Sequence, residues 1–138
     1  MIAPYLDASA IIYLVEGAGS ARTVVGQRIA AAEQDAAGRV LTSQLARLEC
    51  RVKPMRTANA SLLATYDAFF TRTRLEIVDV SAAAVDRATE LRARYGFKTP
   101  DAIHLACALG AEADGFVTGD AGLARCTEIA IEVVSPTP

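Results

Sequence analysis

The chain has 138 residues, of which 52% are hydrophobic and 6% aromatic, and its formal net charge is −2 at neutral pH. This length fits one domain, residues 1–138, with enough buried surface to fold without disulfides or a structural metal. The slightly acidic balance excludes binding of nucleic acid over a broad basic surface, so any nucleic-acid site has to be local.

The first half of the chain alternates short apolar runs with helical patterns. An apolar run over 2–7 predicts a strand, and helices follow over 9–16 and 23–37, the second closed by Gly38. A strand over 39–42 leads to Ser43, which is a good N-cap for the next helix. Pro54 is expected to end or kink that helix, and a further helix is predicted over 58–72.

The second half repeats the alternation. A strand is predicted over 75–80, and Ser81 and Gly96 suit the two caps of a helix over 82–95. Thr99 is expected to cap the next helix, with Pro100 at its first position, and strands follow over 115–118 and 129–134. Short strands that alternate with helices predict an α/β fold with a largely parallel sheet.

The spacing of the cysteines and the length of the apolar runs indicate the cellular compartment of the protein. Cys50, Cys107 and Cys126 are odd in number and form no CxxC pair, which argues against a disulfide framework and a structural zinc site. Cys50 and Cys107 are interpreted as buried small hydrophobic residues, and Cys126 is the candidate for exposure. The apolar run before Asp7 is too short for a signal peptide, and no run reaches the roughly 20 residues of a membrane span. A soluble cytoplasmic protein is therefore expected.

Four acidic residues stand at positions that surface charge does not easily explain. Asp7 ends the first predicted strand, and Asp120 follows the strand over 115–118. The carboxyl ends of parallel strands are the usual ligand-binding edge of such a sheet. Asp101 lies in the first turn of a predicted helix, and Glu49 lies in the middle of another.

Each of the four also has an ordinary structural interpretation. Asp7 and Asp120 are possible helix caps, and Asp101 suits the positive end of a helix dipole. Glu49 has Lys53 four residues later, which is the spacing of a surface ion pair on a helix. Only convergence of the four side chains in space would favour a shared site. Such a site would suit Mg²⁺ or Mn²⁺, which prefer carboxylate oxygens and water.

Four segments resemble the PIN-domain family, and within it the VapC-type toxins of toxin–antitoxin pairs. They are LDASAIIYL from Leu6, LARLECR from Leu45, TPDAIHLACAL from Thr99 and FVTGDAGL from Phe116, in matching order and spacing. The resemblance implies a three-layer α/β/α fold and a metal-dependent endoribonuclease that cleaves structured RNA, such as transfer or ribosomal RNA. It also implies a homodimer and inhibition by a cognate, VapB-like antitoxin protein.

Site residues are carried over from the resemblance motif by motif. It implies that Mg²⁺ or Mn²⁺ is bound by the carboxylates, which also serve catalysis, and that two hydroxyl residues flank them as hydrogen-bonding supports. The carboxylates are Asp7, Glu49, Asp101 and Asp120, and the hydroxyl residues are Ser9 and Thr118. Glu49 and Asp101 are both candidates to orient the attacking water or to accept its proton.

Other polar residues are also considered as participants in this chemistry, and each has a structural interpretation as well. His104, the only histidine, lies three residues after Asp101, but its apolar surroundings favour a packing or hydrogen-bonding role. Basic residues near Glu49 are interpreted either as a solvated helix face or as a rim that contacts RNA phosphates. They are Arg47, Arg51, Lys53 and Arg56.

Two alternatives to the ribonuclease are a non-catalytic binding module with the PIN fold and a PIN-type DNA nuclease. The four acids argue against the first. The short chain, without extra helical insertions, argues against the second. If the acids share a cleft, their repulsion predicts that Asp7→Asn or Asp101→Asn leaves the metal-free protein at least as stable as the wild type.

Overall fold

Five strands form one parallel sheet in the computed structural model, which describes residues 1–136. In chain order the elements are β1 Pro4–Leu6, α1 Ala8–Glu16, α2 Ser20–Gln34, β2 Val40–Ser43, α3 Gln44–Arg56, α4 Ala60–Phe69, β3 Leu75–Val78, α5 Ala82–Tyr95, α6 Thr99–Gly110, β4 Gly115–Thr118 and β5 Ile131–Val133. A 3-10 helix, Ala121–Arg125, lies between β4 and β5. The strand order is β3-β2-β1-β4-β5, so β1 is central.

One face of the sheet is covered by α1 to α4. Ile11 of α1, Val25 and Ile29 of α2, Cys50 of α3 and Tyr66 of α4 belong to one buried cluster. All five are at most 2% exposed, as expected for apolar side chains that a parallel sheet shields from water.

The other face is covered by α5 and α6. Ala84 and Leu91 of α5 pack with Leu105 of α6 and with Tyr5 and Phe116 of the central strands. Helices on both faces of a parallel sheet make three layers, so the predicted three-layer α/β/α fold is confirmed. Within residues 1–136, no helix combines the length and the apolar character that a membrane crossing requires.

Local capping signals explain the helices whose bounds were predicted well. Ser81 Oγ accepts a hydrogen bond from the backbone N–H of Ala84 at the start of α5. The helix ends at Gly96, whose φ of +72° lies in the left-handed region that glycine adopts without strain. Ser43 caps α3 in the same way, by accepting from the N–H of Ala46.

The predicted bounds of α2 were wrong at both ends, since the helix covers Ser20–Gln34 rather than 23–37. The helix ends earlier than predicted because residues distant in the chain contact the segment after it. The Asp35 carboxylate accepts from the backbone N–H groups of Ile2 and Ala37, at 2.9 and 3.3 Å. Arg74 Nη1 donates to the carbonyls of Asp35 and Gly38. These contacts hold the chain in a turn where the local pattern favoured another helical turn.

Two proline predictions also need correction. The helix α3 continues through Pro54 to Arg56, so Pro54 does not end it. Pro54 lies in the last turn, where the missing N–H removes only one helical hydrogen bond. In α6 the cap is Lys98 rather than Thr99, and Thr99 and Pro100 both belong to the first turn.

Candidate active site

The carboxyl edge of the sheet brings Asp7 and Asp120 to neighbouring positions. Asp7 follows β1 and Asp120 follows β4 after one glycine, and these strands pair in parallel with Leu6 opposite Val117. Parallel strands present their carboxyl ends at the same edge, which is where ligands bind in such sheets. The backbone N–H of Asp7 donates to the carbonyl of Val117, which ties the two strand ends together.

Asp7 is 5% exposed and accepts three hydrogen bonds. Its Oδ1 accepts from Ser9 Oγ at 2.6 Å and from the N–H of Ala10 at 3.0 Å, and the second bond caps α1. Its Oδ2 accepts from Thr118 Oγ1 at 2.5 Å. A carboxylate oxygen has two lone pairs, so Oδ2 keeps one for a further partner. Asp7 is thus both a helix cap and a carboxylate held at the sheet edge.

Asp120 is exposed, and one hydrogen bond from its backbone and one to its side chain fix its position. Its N–H donates to Thr118 Oγ1 at 3.0 Å, and its Oδ1 accepts from the N–H of Gly122 at 2.8 Å. The second contact makes Asp120 the N-cap of the 3-10 helix, as its position suggested. Thr118 therefore contacts both aspartates.

Gly119, which stands between Thr118 and Asp120 in the chain, lies in close contact with α1. Its N–H donates to Ser9 Oγ at 2.8 Å, and a Cβ at this position would lie 2.5 Å from Tyr13 Cε2. Only glycine fits so near the ring without a shift of Tyr13. The glycine of the TGD segment thus allows α1 to approach the loop that carries Asp120.

Glu49 contacts the histidine that the sequence placed outside the site. His104 Nε2 lies 2.6 Å from Glu49 Oε1, and His104 Nδ1 lies 2.8 Å from the Tyr5 hydroxyl. The Tyr5 hydroxyl in turn lies 2.8 Å from Ser43 Oγ. The expected hydrogen-bonding role of His104 is confirmed, but its partner Glu49 was not foreseen. The only signal in the sequence was the three-residue spacing from Asp101 to His104.

The other acids lie close enough to Asp101 for their negative charges to affect its pKa. The pKa of Asp101 is raised above its usual range, first by burial and then by the charges of Asp120 and Asp7, with a smaller contribution from Glu49. His104 acts in the opposite direction. Charges affect a pKa only from nearby, so Asp7, Glu49 and Asp120 each lie within electrostatic reach of Asp101. No hydrogen bond to the Asp101 side chain occurs within residues 1–136.

The arrangement suits a hydrated divalent cation. Carboxylate oxygens are the donors that Mg²⁺ and Mn²⁺ prefer. Within the described part of the chain, no three His, Cys, Asp or Glu side chains form a complete ligand group. Mg²⁺ usually keeps several waters and takes one or two carboxylates from a protein, so an incomplete carboxylate set fits this ion.

Two of the four basic residues near Glu49 share its face of α3. Lys53 and Arg56 follow Glu49 at the i+4 and i+7 positions of the helix. Lys53 lies 3.4 Å from Glu16 Oε1, so the alternative in which Lys53 pairs with Glu49 is wrong. Arg56 is exposed and takes part in no ion pair within residues 1–136.

The other two lie on the far side of the helix. Arg47 and Arg51 stand two residues before and after Glu49, which places them roughly opposite it. Arg51 Nη1 lies 3.8 Å from Asp67 Oδ1. Both arginines line a groove of about 350 Å³ together with three exposed apolar residues, Leu48, Val52 and Met55.

All three cysteines are free and buried, so the expected exposure of Cys126 is wrong. Burial raises the pKa of the Cys50 thiol to about 12 and that of Cys107 to about 11. A buried thiol that stays protonated is a poor nucleophile. These cysteines therefore act as apolar core residues.

A larger groove lies away from the acids. It encloses about 620 Å³ between β3, α5 and α6 and is lined by residues such as Val78, Arg87 and Cys107. None of the four converging acids lines it, so the carboxylates rather than the volume mark the candidate site.

Comparison with solved structures supports the same architecture. The VapBC2 complex of Rickettsia felis, bound to a promoter DNA fragment, gives a TM-score of 0.76 at 17% identity, covering 95% of this chain and 98% of that one. DNA-bound VapBC of Salmonella typhimurium gives 0.76 at 20% identity, covering 96% and 98%. VapC20 of Mycobacterium tuberculosis, described as a Sarcin-Ricin loop cleaving toxin, gives 0.65 at 21% identity, covering 86% and 90%.

The sequence itself carries the family assignment. A comparison with curated protein sequences gives no significant match. A family model described as PIN domain matches residues 5–129, which is most of the chain. The matched region includes every acid of the candidate site. The chain therefore belongs to the PIN domain family.

Proposed function

We propose that the protein is an endoribonuclease that depends on Mg²⁺ or Mn²⁺ and acts as the toxin of a type II toxin–antitoxin pair. The observation that carries the proposal is the position of Asp101, whose pKa is raised first by burial and then by the charges of Asp120, Asp7 and Glu49. Such a cluster is unfavourable without a cation, because like charges repel. The expected function, binding of a hard cation beside a phosphodiester, accounts for it.

The four acids have different roles in this proposal. Asp7, held by Ser9 and Thr118, offers the cation its remaining lone pair on Oδ2. Glu49 offers the cation a second carboxylate, and Asp120 acts through a water bound to the cation. A divalent cation bound there would neutralise phosphate oxygens and make a bound water more acidic.

Asp101 is the better candidate to accept the proton of the attacking water. Glu49 Oε1 already accepts from His104, whereas neither oxygen of Asp101 has a hydrogen-bond donor within the described chain. A general base has to reach the water with a free lone pair, and this favours Asp101 over Glu49.

Structured RNA is the proposed substrate, as transfer or ribosomal RNA. VapC20 of Mycobacterium tuberculosis, which shares this fold, is described as cleaving the Sarcin-Ricin loop, and that description supports RNA over DNA. Arg47, Arg51, Lys53 and Arg56 are proposed phosphate contacts. Of these, Lys53 and Arg56 share the face of Glu49 and are the nearer candidates.

The test compares cleavage of a structured RNA and a DNA of the same sequence. Wild-type protein in millimolar Mn²⁺ should cut the RNA, and excess EDTA should stop it. Asp7→Asn should lower the rate at least about 100-fold, since it removes the charge that a hard cation requires. Asp86→Asn, an exposed acid on α5, is the matched control and should cut normally. Cleavage of DNA alone would favour a DNA nuclease, and no cleavage with no Mn²⁺ binding would favour a binding module.

We also propose a homodimer and a VapB-like antitoxin as protein partners. Two of the similar structures are VapBC complexes, and α3 exposes Leu48, Val52 and Met55 in a row at helical spacing. An exposed apolar row of this kind typically contacts another polypeptide. A basic side chain of the antitoxin would be attracted by the acidic cleft and could pair with its carboxylates.

Two measurements test the partners. Sedimentation equilibrium should give the mass of two chains, and a single-chain mass at micromolar concentration would contradict the dimer. Expression of the chain should arrest growth, and co-expression of a small reading frame directly upstream of its gene should relieve the arrest. We place the protein in the cytoplasm, where such RNA is found and where three unpaired thiols stay reduced.

A further inference from the structure

His104 connects α6 to the acid on α3. The ring is 3% exposed, and its Nε2 lies 2.6 Å from Glu49 Oε1. An ionised carboxylate only accepts hydrogen bonds, so Nε2 carries the proton and donates. A bond of this kind to a charged acceptor is stronger than one between neutral groups. Glu49 is therefore held by a buried ring rather than by a surface lysine.

The ring is also fixed from its other side. Nδ1 lies 2.8 Å from the hydroxyl of Tyr5 in the central strand, and that hydroxyl lies 2.8 Å from Ser43 Oγ at the end of β2. Burial raises the pKa of Tyr5, so its hydroxyl stays protonated. Tyr5 is fully buried and stacks on Phe116. The ring orientation is thus set by residues of two adjacent strands of the sheet, β1 and β2.

Glu49 needs such support more than Asp7 does. A glutamate side chain has three rotatable bonds, and that of Glu49 is 32% exposed. Asp7 is shorter, buried and held by three hydrogen bonds, whereas His104 Nε2 is the one hydrogen-bond donor to the Glu49 side chain within residues 1–136. Without His104 the Glu49 carboxylate would populate several rotamers.

We propose that His104 is a positioning residue that holds Glu49 Oε1 and leaves Oε2 for a divalent cation. The inference rests on the proposed metal-dependent function. Outer partners that orient a metal-binding carboxylate typically contribute about 10–100-fold to metal affinity. Loss of the Nε2 donor should therefore weaken cation binding while the fold is retained.

Two substitutions separate the two nitrogens of the ring. His104→Gln places an amide N–H near the position of Nε2, and His104→Asn places one near Nδ1, so only glutamine keeps the donor to Glu49. The measurement is Mn²⁺ titration of the metal-free protein by calorimetry, with MnCl₂ as the only ligand. The dissociation constant of His104→Asn should rise about 10–100-fold, and that of His104→Gln should stay within about threefold of the wild type.

A control separates positioning from a general loss of stability. Ser81→Ala removes the N-cap of α5, and it changes neither hydrophobic core nor the contacts of His104 and Glu49. It should lower the Tm and leave Mn²⁺ affinity unchanged. If His104→Asn does not fold, Tyr5→Phe replaces it, since it removes the hydroxyl behind the ring, and it should weaken Mn²⁺ binding severalfold.

The outcomes are distinct. Unchanged Mn²⁺ affinity in a folded His104→Asn or Tyr5→Phe would overturn the positioning role while leaving the metal-dependent function intact. Equal losses in His104→Gln and His104→Asn, or a similar loss in Ser81→Ala, would also overturn it. A wild-type protein that binds no Mn²⁺ would overturn the proposed function and this inference together.

Discussion

Asp101→Asn should stabilise the metal-free protein at neutral pH. The pKa of Asp101 is raised by burial and by the charges of Asp120, Asp7 and Glu49, so its ionised form is disfavoured in the folded state. Asparagine keeps the shape and removes the charge. For Asp7→Asn the structure changes the expectation drawn from the sequence. Asp7 accepts three hydrogen bonds and caps α1, so its replacement should destabilise the metal-free protein.

The magnitude follows from Coulomb's law. For any two unit charges separated by about 8 Å, the repulsion is about 2 kcal/mol at an effective dielectric of 20, and salt at physiological strength reduces it to below about 1 kcal/mol. Asp101→Asn also removes the favourable interaction between the Asp101 charge and the α6 dipole, which costs about 0.5 kcal/mol and offsets part of the relieved repulsion. The net gain is about 1–2 kcal/mol, or about 3–6 °C in Tm for a chain of this length.

The pH dependence has a definite sign. The folded-state pKa of Asp101 is raised above its ordinary value, so the ionised group destabilises the fold above the folded-state pKa. The destabilisation is lost as the pH falls below the unfolded-state pKa. The advantage of Asp101→Asn should therefore be full at pH 7 and should disappear near pH 4.

The assay is thermal unfolding in EDTA at pH 4 and pH 7, repeated at pH 7 in millimolar Mn²⁺. Asp86→Asn is the control and should stay within about 0.5 kcal/mol of the wild type. Mn²⁺ should stabilise the wild type by about 2.7 kcal/mol at 100 times its dissociation constant and reduce the advantage of Asp101→Asn, because removal of a nearby negative charge weakens cation binding. The reasoning is refuted if Asp101→Asn is less stable than the wild type in EDTA at pH 7, or if its advantage is the same at both pH values.

Further changes test the fold and the RNA contacts. Ser81→Ala should cost about 1 kcal/mol in the free energy of unfolding by urea, because the α5 cap is lost. Gly96→Ala should cost about 1–2 kcal/mol in the same assay, because its φ is +72°. Cys50 and Cys107, with pKa values raised to about 12 and 11, should resist iodoacetamide at pH 8 until the protein is unfolded, and rapid labelling of the native protein would contradict their burial. Arg56→Gln should lower the salt dependence of RNA binding by about 0.7–0.9 in log–log slope, and an unchanged slope would exclude a phosphate contact.

The elements with strong local signals were predicted most closely. The helix α5 matches its predicted range, because Ser81 and Gly96 fix its ends through contacts within a few residues. The end of α2 was missed because contacts with Ile2 and Arg74, distant in the chain, hold Asp35 in a turn. Local patterns carry no information about such partners.

The residues of the candidate site also differ in whether local patterns in the sequence could place them. Asp7 and Asp120 were placed at one sheet edge by strand position alone, and the parallel pairing of β1 with β4 agrees. Glu49 and Asp101 required the resemblance, since their helices lie in different layers. The contact of Glu49 with His104 joins residues 55 positions apart, and no spacing rule predicts it.

The bond between Glu49 and His104 crosses from one helical layer to the other. Glu49 lies on α3, which packs with α1, α2 and α4, whereas His104 and Asp101 lie on α6 on the opposite face of the sheet. A volume change in either hydrophobic core that shifts one layer would alter the distance between these acids without touching any of them. Densely packed cores transmit such shifts, so distant core substitutions should alter cation affinity before they unfold the protein. A substitution that enlarges one core should therefore be offset, in its effect on cation affinity, by a compensating volume change in the other core.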